Sequence, residues 1–535
     1  MKTSLFLWMY TLIAIAILAG CNSAEPHDES SEESARQPNI LFIMSDDHAY
    51  QAISAYDDRL IHTPHIDRIA SEGMLFERAF VTNSICAPSR AVILTGKHSH
   101  LNGLRDNGDR FDGAQQTISK LFQQNGYHTA IFGKWHLKTD PTGFDTWKVL
   151  PGQGHYYNPE FRTSQGKEVD SGYVTDLITD FSLEWIDQVK NDNKPFFLVY
   201  QHKAPHREWL PKEEDYKAFT KKTFPEPATL FDDYSGRSKA AQEAEMRISD
   251  HMGLTNDNKI KPSVAESHGF TDFLPWYSNA YHNNLDRMSD EERQAWDAVY
   301  DPINEEFDAQ NLKGDELTSW KYQRYMQDYL GSIAAVDNNV GRVLDYLEEN
   351  DLADNTVVIY TSDQGFYLGE HGWFDKRFMY EESFRTPLMI RWPGVVEAGS
   401  RNSDLVQNLD FAQTMLDMAG IPMPEDMQGK SMVPLLKNKN PIWRKALYYH
   451  YYEYPGIHAV KRHIGARTDQ YKLIHFYDDI DEWELFDLES DPDELSNVYD
   501  TPEYSDVQDE MHEILMELAQ HYKDSVGMEQ AKWRE

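Results

Sequence analysis

From Asn39 to Met44 the chain reads NILFIM, a nearly continuous apolar run of strand length that stops abruptly at Ser45-Asp46-Asp47-His48. Similar short runs recur at 127–132, 196–200, 356–360 and 387–391, and each reads as a strand of a buried sheet. Helical periodicity fills the spaces between them, over Pro64–Glu72, Thr117–Gln124, Thr175–Val189 and about Trp320–Leu347. This alternation predicts an α/β fold, a large, mixed, mostly parallel sheet sandwiched by helices. Ligands of such sheets lie beyond the carboxyl ends of the strands, where Asp46-Asp47, His202–His206 and Asp363-Gln364 all fall.

Two stretches depart from that texture. Residues 207–319 are rich in Asp, Asn, Pro, Trp and Tyr without a clear strand run, and are expected to be an insertion of loops and short helices forming one wall of a cleft. After about residue 440 closely spaced strand runs follow (ALYYHYY, HIGART, YKLIHF, WELFDL), then a helix over about 502–522. The expected division is a main domain over 38–440 and a smaller C-terminal α+β domain over 441–535 that contributes to the substrate site.

The N-terminus belongs to neither. Lys2 is followed by an apolar run from Leu5 to Leu18, which reads as an export signal over residues 1–21. Its end, Leu18-Ala19-Gly20-Cys21, resembles the bacterial lipoprotein processing box, which implies lipidation of Cys21 and attachment to a membrane through that lipid alone. A plain transmembrane anchor is the alternative, although the run is short for spanning. The acidic segment 22–37 has no apolar period and is expected to be a flexible tether. Together these features lead to the expectation of a protein in the periplasm or at the outer membrane or cell surface.

The formal net charge of −38 opposes binding along nucleic acid or to an anionic bilayer. An anionic substrate must therefore be caught by local cations. Only Cys21 and Cys86 are present, so lipidation of the first leaves no internal disulfide for the second.

Cys86 opens Cys86-Ala87-Pro88-Ser89-Arg90, at the start of an expected helix whose free N–H groups and dipole favour a bound anion. Arg90 adds a bidentate donor. A structural cysteine or an ordinary nucleophilic thiol fits the same position. Asp46 and Asp47 repel each other unless a cation lies between them, but aspartates also serve as caps and turns. Asp363, with Gln364, follows another strand, and hard oxygen ligands from two strand ends suit Ca²⁺.

The stretch around Cys86 resembles the type I sulfatase signature Cys-x-Pro-Ser-Arg, in which the cysteine is oxidised to formylglycine. Gly133-Lys134-Trp135-His136 and Ala204-Pro205-His206 resemble further motifs of that family, in this order. Sulfatases belong to the alkaline phosphatase superfamily, and the resemblance spans about 38–500. It implies metal ligation by Asp46, Asp47, Asp363, Gln364 and residue 86, with Gln364 standing where Asn or His is usual. It implies sulfate contacts from Arg90, Lys134 and Lys376, and proton transfer by His136 and His206. It also implies a maturation partner, a formylglycine-generating or anaerobic sulfatase-maturating enzyme.

The Tyr-rich stretch 450–455 with His458 and Arg467 looks like the substrate wall of polysaccharide sulfatases, including glucosamine 6-sulfatases and ulvan-type enzymes; packing between domains explains most of these residues equally well. His202 is a further candidate for substrate contact. The expected function is hydrolysis of sulfate esters on a sulfated polysaccharide or oligosaccharide, a glycosaminoglycan or an algal polymer. A phosphatase or phosphodiesterase of the same superfamily and a non-catalytic carbohydrate-binding lipoprotein are the competing readings.

Overall fold

The computed structural model describes residues 37–533, so the readings placed on residues 1–36, Cys21 among them, lie outside the described residues. Among the described residues no helix is long and apolar enough to cross a membrane.

Ten strands form the main sheet: β1 (Asn39–Ser45), β2 (Met74–Phe76), β3 (His128–Lys134), β4 (Thr146–Leu150), β5 (Glu160–Thr163), β6 (Gly166–Val169), β7 (Phe196–Gln201), β8 (Thr356–Ser362), β9 (Leu388–Arg391) and β10 (Ser400–Asn402). They run in the order β10-β2-β9-β8-β1-β7-β3-β4-β5-β6. The central five, β8-β1-β7-β3-β4, are parallel, and antiparallel pairs flank them on both sides. All seven residues of β1 are buried, because both faces of the sheet are covered.

Alternation along β1 assigns its side chains to two cores. Ile40, Phe42 and Met44 pack with Ile93 and Leu94 of α2 (Cys86–Thr95), while Leu41 and Ile43 face α1 (Pro64–Ser71) and two long helices, Val174–Val189 and Gly314–Glu349. Each fully buried side chain of this kind stabilises the fold by about 1.5–3 kcal/mol.

The short pieces β4, β5 and β6 were not expected; β5 is polar and half-buried and β6 is exposed throughout, so neither gives an apolar run. The insertion is also more ordered than its composition suggests. It contains a 21-residue helix, Asp290–Gln310, which starts at a reciprocal cap between Ser289 and Glu292 and buries Trp296, Tyr300, Asn304 and Phe307 along one face. Its acidic outer face hides that stripe from a reading by composition.

The C-terminal strand runs form a separate antiparallel sheet of β11 (Leu447–Tyr451), β12 (His463–Arg467), β13 (Tyr471–Phe476) and β14 (Glu482–Asp487), in sequence order. The helix Ser505–His521 packs Met511, Leu515 and Ala519 against it. A groove of about 730 Å³ lies between this helix and the Thr468–Tyr471 turn, lined by none of the sequence-derived site residues.

Candidate active site

Strand ends bring the acidic groups together. Asp46 and Asp47 follow β1, and Asp363 and Gln364 follow the neighbouring β8, whose Ser362 is in register with Ser45. Asp47 takes a left-handed backbone (φ 65°) and its N–H donates to Asp363 Oδ1 at 3.1 Å, which turns both carboxylates into the same space. Potential ligand atoms of Asp46, Asp47, Cys86 and His206 all lie within 4.8 Å of one another.

Lysines enter from two sides. Lys134, the last residue of β3, pairs with Asp46, and Lys376 Nζ donates to Asp47 Oδ2 at 2.6 Å. The preceding Gly133 is required: its φ is +104°, and a Cβ there would sit 1.8 Å from the Gln201 carbonyl oxygen of β7. Arg90, one turn into α2, donates through Nε to Asp363 Oδ2 at 3.0 Å and through Nη1 to Gln201 Oε1 at 2.9 Å. Cys86 occupies the first residue of α2, buried to within 1%.

Burial and charge act together on these groups. Burial raises the carboxyl pKa values, but Lys134, His206 and Arg90 outweigh it at Asp46 and hold that group well below the usual range. At Asp47 burial prevails and the pKa rises; at Asp363 burial, aided by Asp46, pushes it up to about 7. Burial works against the Lys376 ammonium, but Asp375 and Asp47 dominate and strengthen its hold on the proton. Burial also pushes the Cys86 thiol up, which disfavours a thiolate. His136 and His206 are depressed, chiefly by burial and then by Lys134.

The donor set fits a hard cation. Asp46 and Asp47 converge, Asp363 stands behind them against the Asp47 N–H and Arg90, and Asp46 Oδ1 and Gln364 Oε1 are buried without a hydrogen-bond partner. Gln364 Nε2 faces Asp47 and the Cys86 Sγ, at 3.7 Å from the sulfur, so its side chain reaches the cluster despite its extra length.

A cavity of about 350 Å³ opens above Cys86, at the small end of the usual ~300–1,000 Å³ for ligand sites. Lys203, His206, Lys376 and His458 line it, together with Asp375 and Arg377, which the sequence reading passed over although they flank Lys376. The insertion adds Trp276 and Asn284 to the wall. His458 Nδ1 meets the Glu245 carbonyl at 2.7 Å, and its Nε2 lies 3.2 Å from Asp375 Oδ2.

Arg90, Lys134 and His136 stand behind this cavity rather than lining it, and Arg90, expected on the sulfate, gives its donors to Asp363, Gln201 and the Lys134 carbonyl; two expected substrate contacts are not brought to it either. His202 is fully buried, edge-on to Tyr200 with ring centroids 4.4 Å apart, and burial lowers its pKa to about 3. It shares strand parity with Leu198 and Tyr200 and so falls on the face covered by Val174–Val189 and Gly314–Glu349, whereas Gln201, on the α2 face, reaches Arg90. Arg467 is closed off by Glu381, at 3.2 Å through both Nε and Nη2, and by the Phe80 ring. Its charge completes a buried network with Lys472 and Glu494.

Carboxylates, ammonium groups and a buried thiol meet around one point. The chain belongs to the sulfatase family: the Sulfatase family model matches residues 38–421, and the model for the C-terminal part of N-sulphoglucosamine sulphohydrolase matches residues 369–521. The protein is thus a sulfuric ester hydrolase.

Its relatives refine the class. It is 49% identical over 520 residues to an N-acetylglucosamine-6-O-sulfatase of Bacteroides thetaiotaomicron, covering 96% of this chain and 91% of that protein. It resembles, with TM-score 0.88 and 49% identity over 92% of this chain and 99% of the other, a solved structure in complex with its substrate D-glucosamine-2-N,6-O-disulfate. A phosphonate monoester hydrolase of Agrobacterium radiobacter shares the fold alone, with TM-score 0.62 and 21% identity over 91% of this chain and 96% of that one.

Proposed function

We propose that this sulfatase removes the 6-O-sulfate of a glucosamine residue, N-acetylated or N-sulfated, in a sulfated glycan. The observation that supports the reading is the cavity above Cys86, lined by Asp375, Lys376, Arg377 and His458. It is small enough to select a single sulfated residue and polar enough to read its hydroxyls. The 49% relative and the glucosamine-disulfate complex agree with that choice.

Asp46, Asp47, Asp363 and the Gln364 carbonyl oxygen would hold a Ca²⁺ ion, and Cys86 would be oxidised to formylglycine by a formylglycine-generating or anaerobic sulfatase-maturating enzyme. When present, the cation neutralises sulfate charge and formylglycine hydrate supplies an oxygen nucleophile at residue 86. The chain's own side chains do the rest. Lys134 and Lys376, each already against a carboxylate, present ammonium charge to the sulfate oxygens. Arg90 orients Asp363. His206 turns Nδ1 to the Arg207 carbonyl, and its Nε2, 3.7 Å from Asp47 Oδ2 on the cavity side, would give a proton to the leaving sugar oxygen. The arriving anion favours the protonated imidazole at that step. His136, beside Lys134 with Nδ1 unpartnered, exchanges a proton at residue 86.

The sequence of residues 1–21 supports export as a lipoprotein carried on Cys21, in the periplasm or on the outer membrane, where glycan fragments are met. Sulfate release from a panel of defined saccharides tests the substrate. N-acetylglucosamine 6-sulfate is expected to exceed its 3-sulfate and galactose 6-sulfate by on the order of 10²-fold in kcat/KM. Equal rates on all three would remove the specificity.

A further inference from the structure

Lys203 is a buried cation without an evident structural reason. It is 1% exposed, lines the active-site cavity, and among the described residues has no carboxylate within ion-pair distance. Burying an ammonium with no carboxylate in contact, only the field of the nearby Glu208, is costly, and an apolar side chain would fill the same space more cheaply. Burial lowers its pKa to about 8.

Its surroundings concern one segment, the turn that presents His206. The His206 N–H donates to the Lys203 carbonyl at 2.9 Å and closes that turn. The Tyr156 hydroxyl donates to the His206 carbonyl at 2.6 Å. The Arg207 carbonyl receives two donors, His206 Nδ1 and, at 3.4 Å, Lys203 Nζ. The same Nζ lies 4.7 Å from the centroid of the Tyr156 ring, so lysine and tyrosine brace one another. Downstream, Arg207 is fixed by two 2.6 Å bonds to Asp257.

We propose that Lys203, braced by Tyr156, is a positioning residue that holds the Arg207 carbonyl against His206 Nδ1, thereby fixing the tautomer and ring orientation that leave Nε2 facing the leaving oxygen. The carbonyl is the shared element: an ammonium on its second lone pair keeps it in place for the imidazole, and a carbonyl free to rotate away would release the ring. Lys203 touches no reacting atom in this arrangement. Its effect passes through His206, and the inference therefore rests on the general-acid reading of that residue.

The dependence on leaving group separates positioning from general structural support. A sugar alkoxide needs a proton as it departs, whereas 4-nitrophenolate does not. In the metal-loaded, matured enzyme, Lys203→Met is expected to lower kcat on N-acetylglucosamine 6-sulfate by on the order of 10²-fold. Its turnover of 4-nitrophenyl sulfate should fall less than about threefold. Lys203→Arg, which retains a donor, should recover most of the sugar-ester rate, and Tyr156→Phe, which removes one bond and keeps the ring, should show the same selective loss in milder form. Equal losses on both esters in Lys203→Met and Tyr156→Phe, with His206→Ala remaining selective, would overturn the positioning role and leave the general acid intact. Equal losses in His206→Ala as well would overturn the general-acid assignment and this inference with it.

Discussion

Arg90 Nη2 lies 2.9 Å from Asp363 Oδ2, and both side chains are buried to within 2%. The guanidinium at the start of α2 is therefore engaged with the third carboxylate and stands 3.5 Å from Asp46 Oδ1. It joins the helix that carries residue 86 to the strand ends that carry the acids. Arg90→Ala leaves Asp363 buried beside Asp46 without that cation, and breaking such a pair costs about 3–5 kcal/mol. Chemical denaturation should show that loss, and turnover should fall on the order of 10²-fold or more. Undiminished stability would separate the arginine from the acidic cluster.

A divalent cation should stabilise the fold as well as support turnover, because it relieves repulsion among Asp46, Asp47 and Asp363. At a Ca²⁺ concentration about 100 times Kd, mass action adds about 2.7 kcal/mol. Thermal unfolding with and without a chelator measures this directly, and Asp46→Asn should shrink the Ca²⁺-dependent rise in Tm. Turnover should vanish on chelation and return with Ca²⁺. Chelation that leaves both unchanged would remove the ion from the site.

His458 is held by Asp375 and the Glu245 carbonyl and lines the cavity beside Arg377 and Lys376. His458→Ala should raise KM for N-acetylglucosamine 6-sulfate about tenfold, because Asp375 at the cavity wall loses the imidazole that holds it. Its kcat/KM on 4-nitrophenyl sulfate should hardly change. A matched loss on both substrates would mean that the residue supports Lys376 rather than the sugar.

Acid should weaken the C-terminal region at a definable place. Asp524 Oδ2 meets His450 Nδ1 at 2.6 Å and accepts from the Tyr448 hydroxyl at 2.9 Å. Burial opposes the Asp524 charge, but the hydrogen bond and field of His450 prevail and depress its pKa. Burial lowers the His450 pKa. A depressed carboxyl stabilises the fold above its unfolded value of about 3.9 and loses that contribution as pH falls through the folded value. A depressed imidazole acts in the same direction below about 6.5, where the unfolded chain binds the extra proton. Stability measured by denaturant should therefore decline below about pH 6.5 and again below about 4, and His450→Gln should flatten the first decline. An unchanged profile in that variant would place the acid sensitivity elsewhere.

Sequence pattern was most informative where one physical constraint dominates. β1, β7 and β8 are buried on both faces, so uninterrupted apolar runs marked them and their acidic ends marked the site. Lys376 and His206 were visible only through motif resemblance, since nothing local distinguishes them from other lysines and histidines. His202 was misplaced because strand parity after β7 decides which side chains face the site, and Tyr200 carries it to the helix face. Arg467 was misplaced because its partner, Glu381, lies 86 residues away in the chain. Asp375 and Arg377 escaped for the same reason: their roles depend on His458 and Glu453, which the fold brings near from the C-terminal region.

The nucleophile at position 86 is the claim on which the account stands. Desulfated sugar formed per enzyme molecule should be followed over time for the matured protein and for Cys86→Ser, with N-acetylglucosamine 6-sulfate in excess. The matured protein should turn over continuously, and the serine variant should halt after at most one sugar per molecule. Sustained turnover by Cys86→Ser would contradict it.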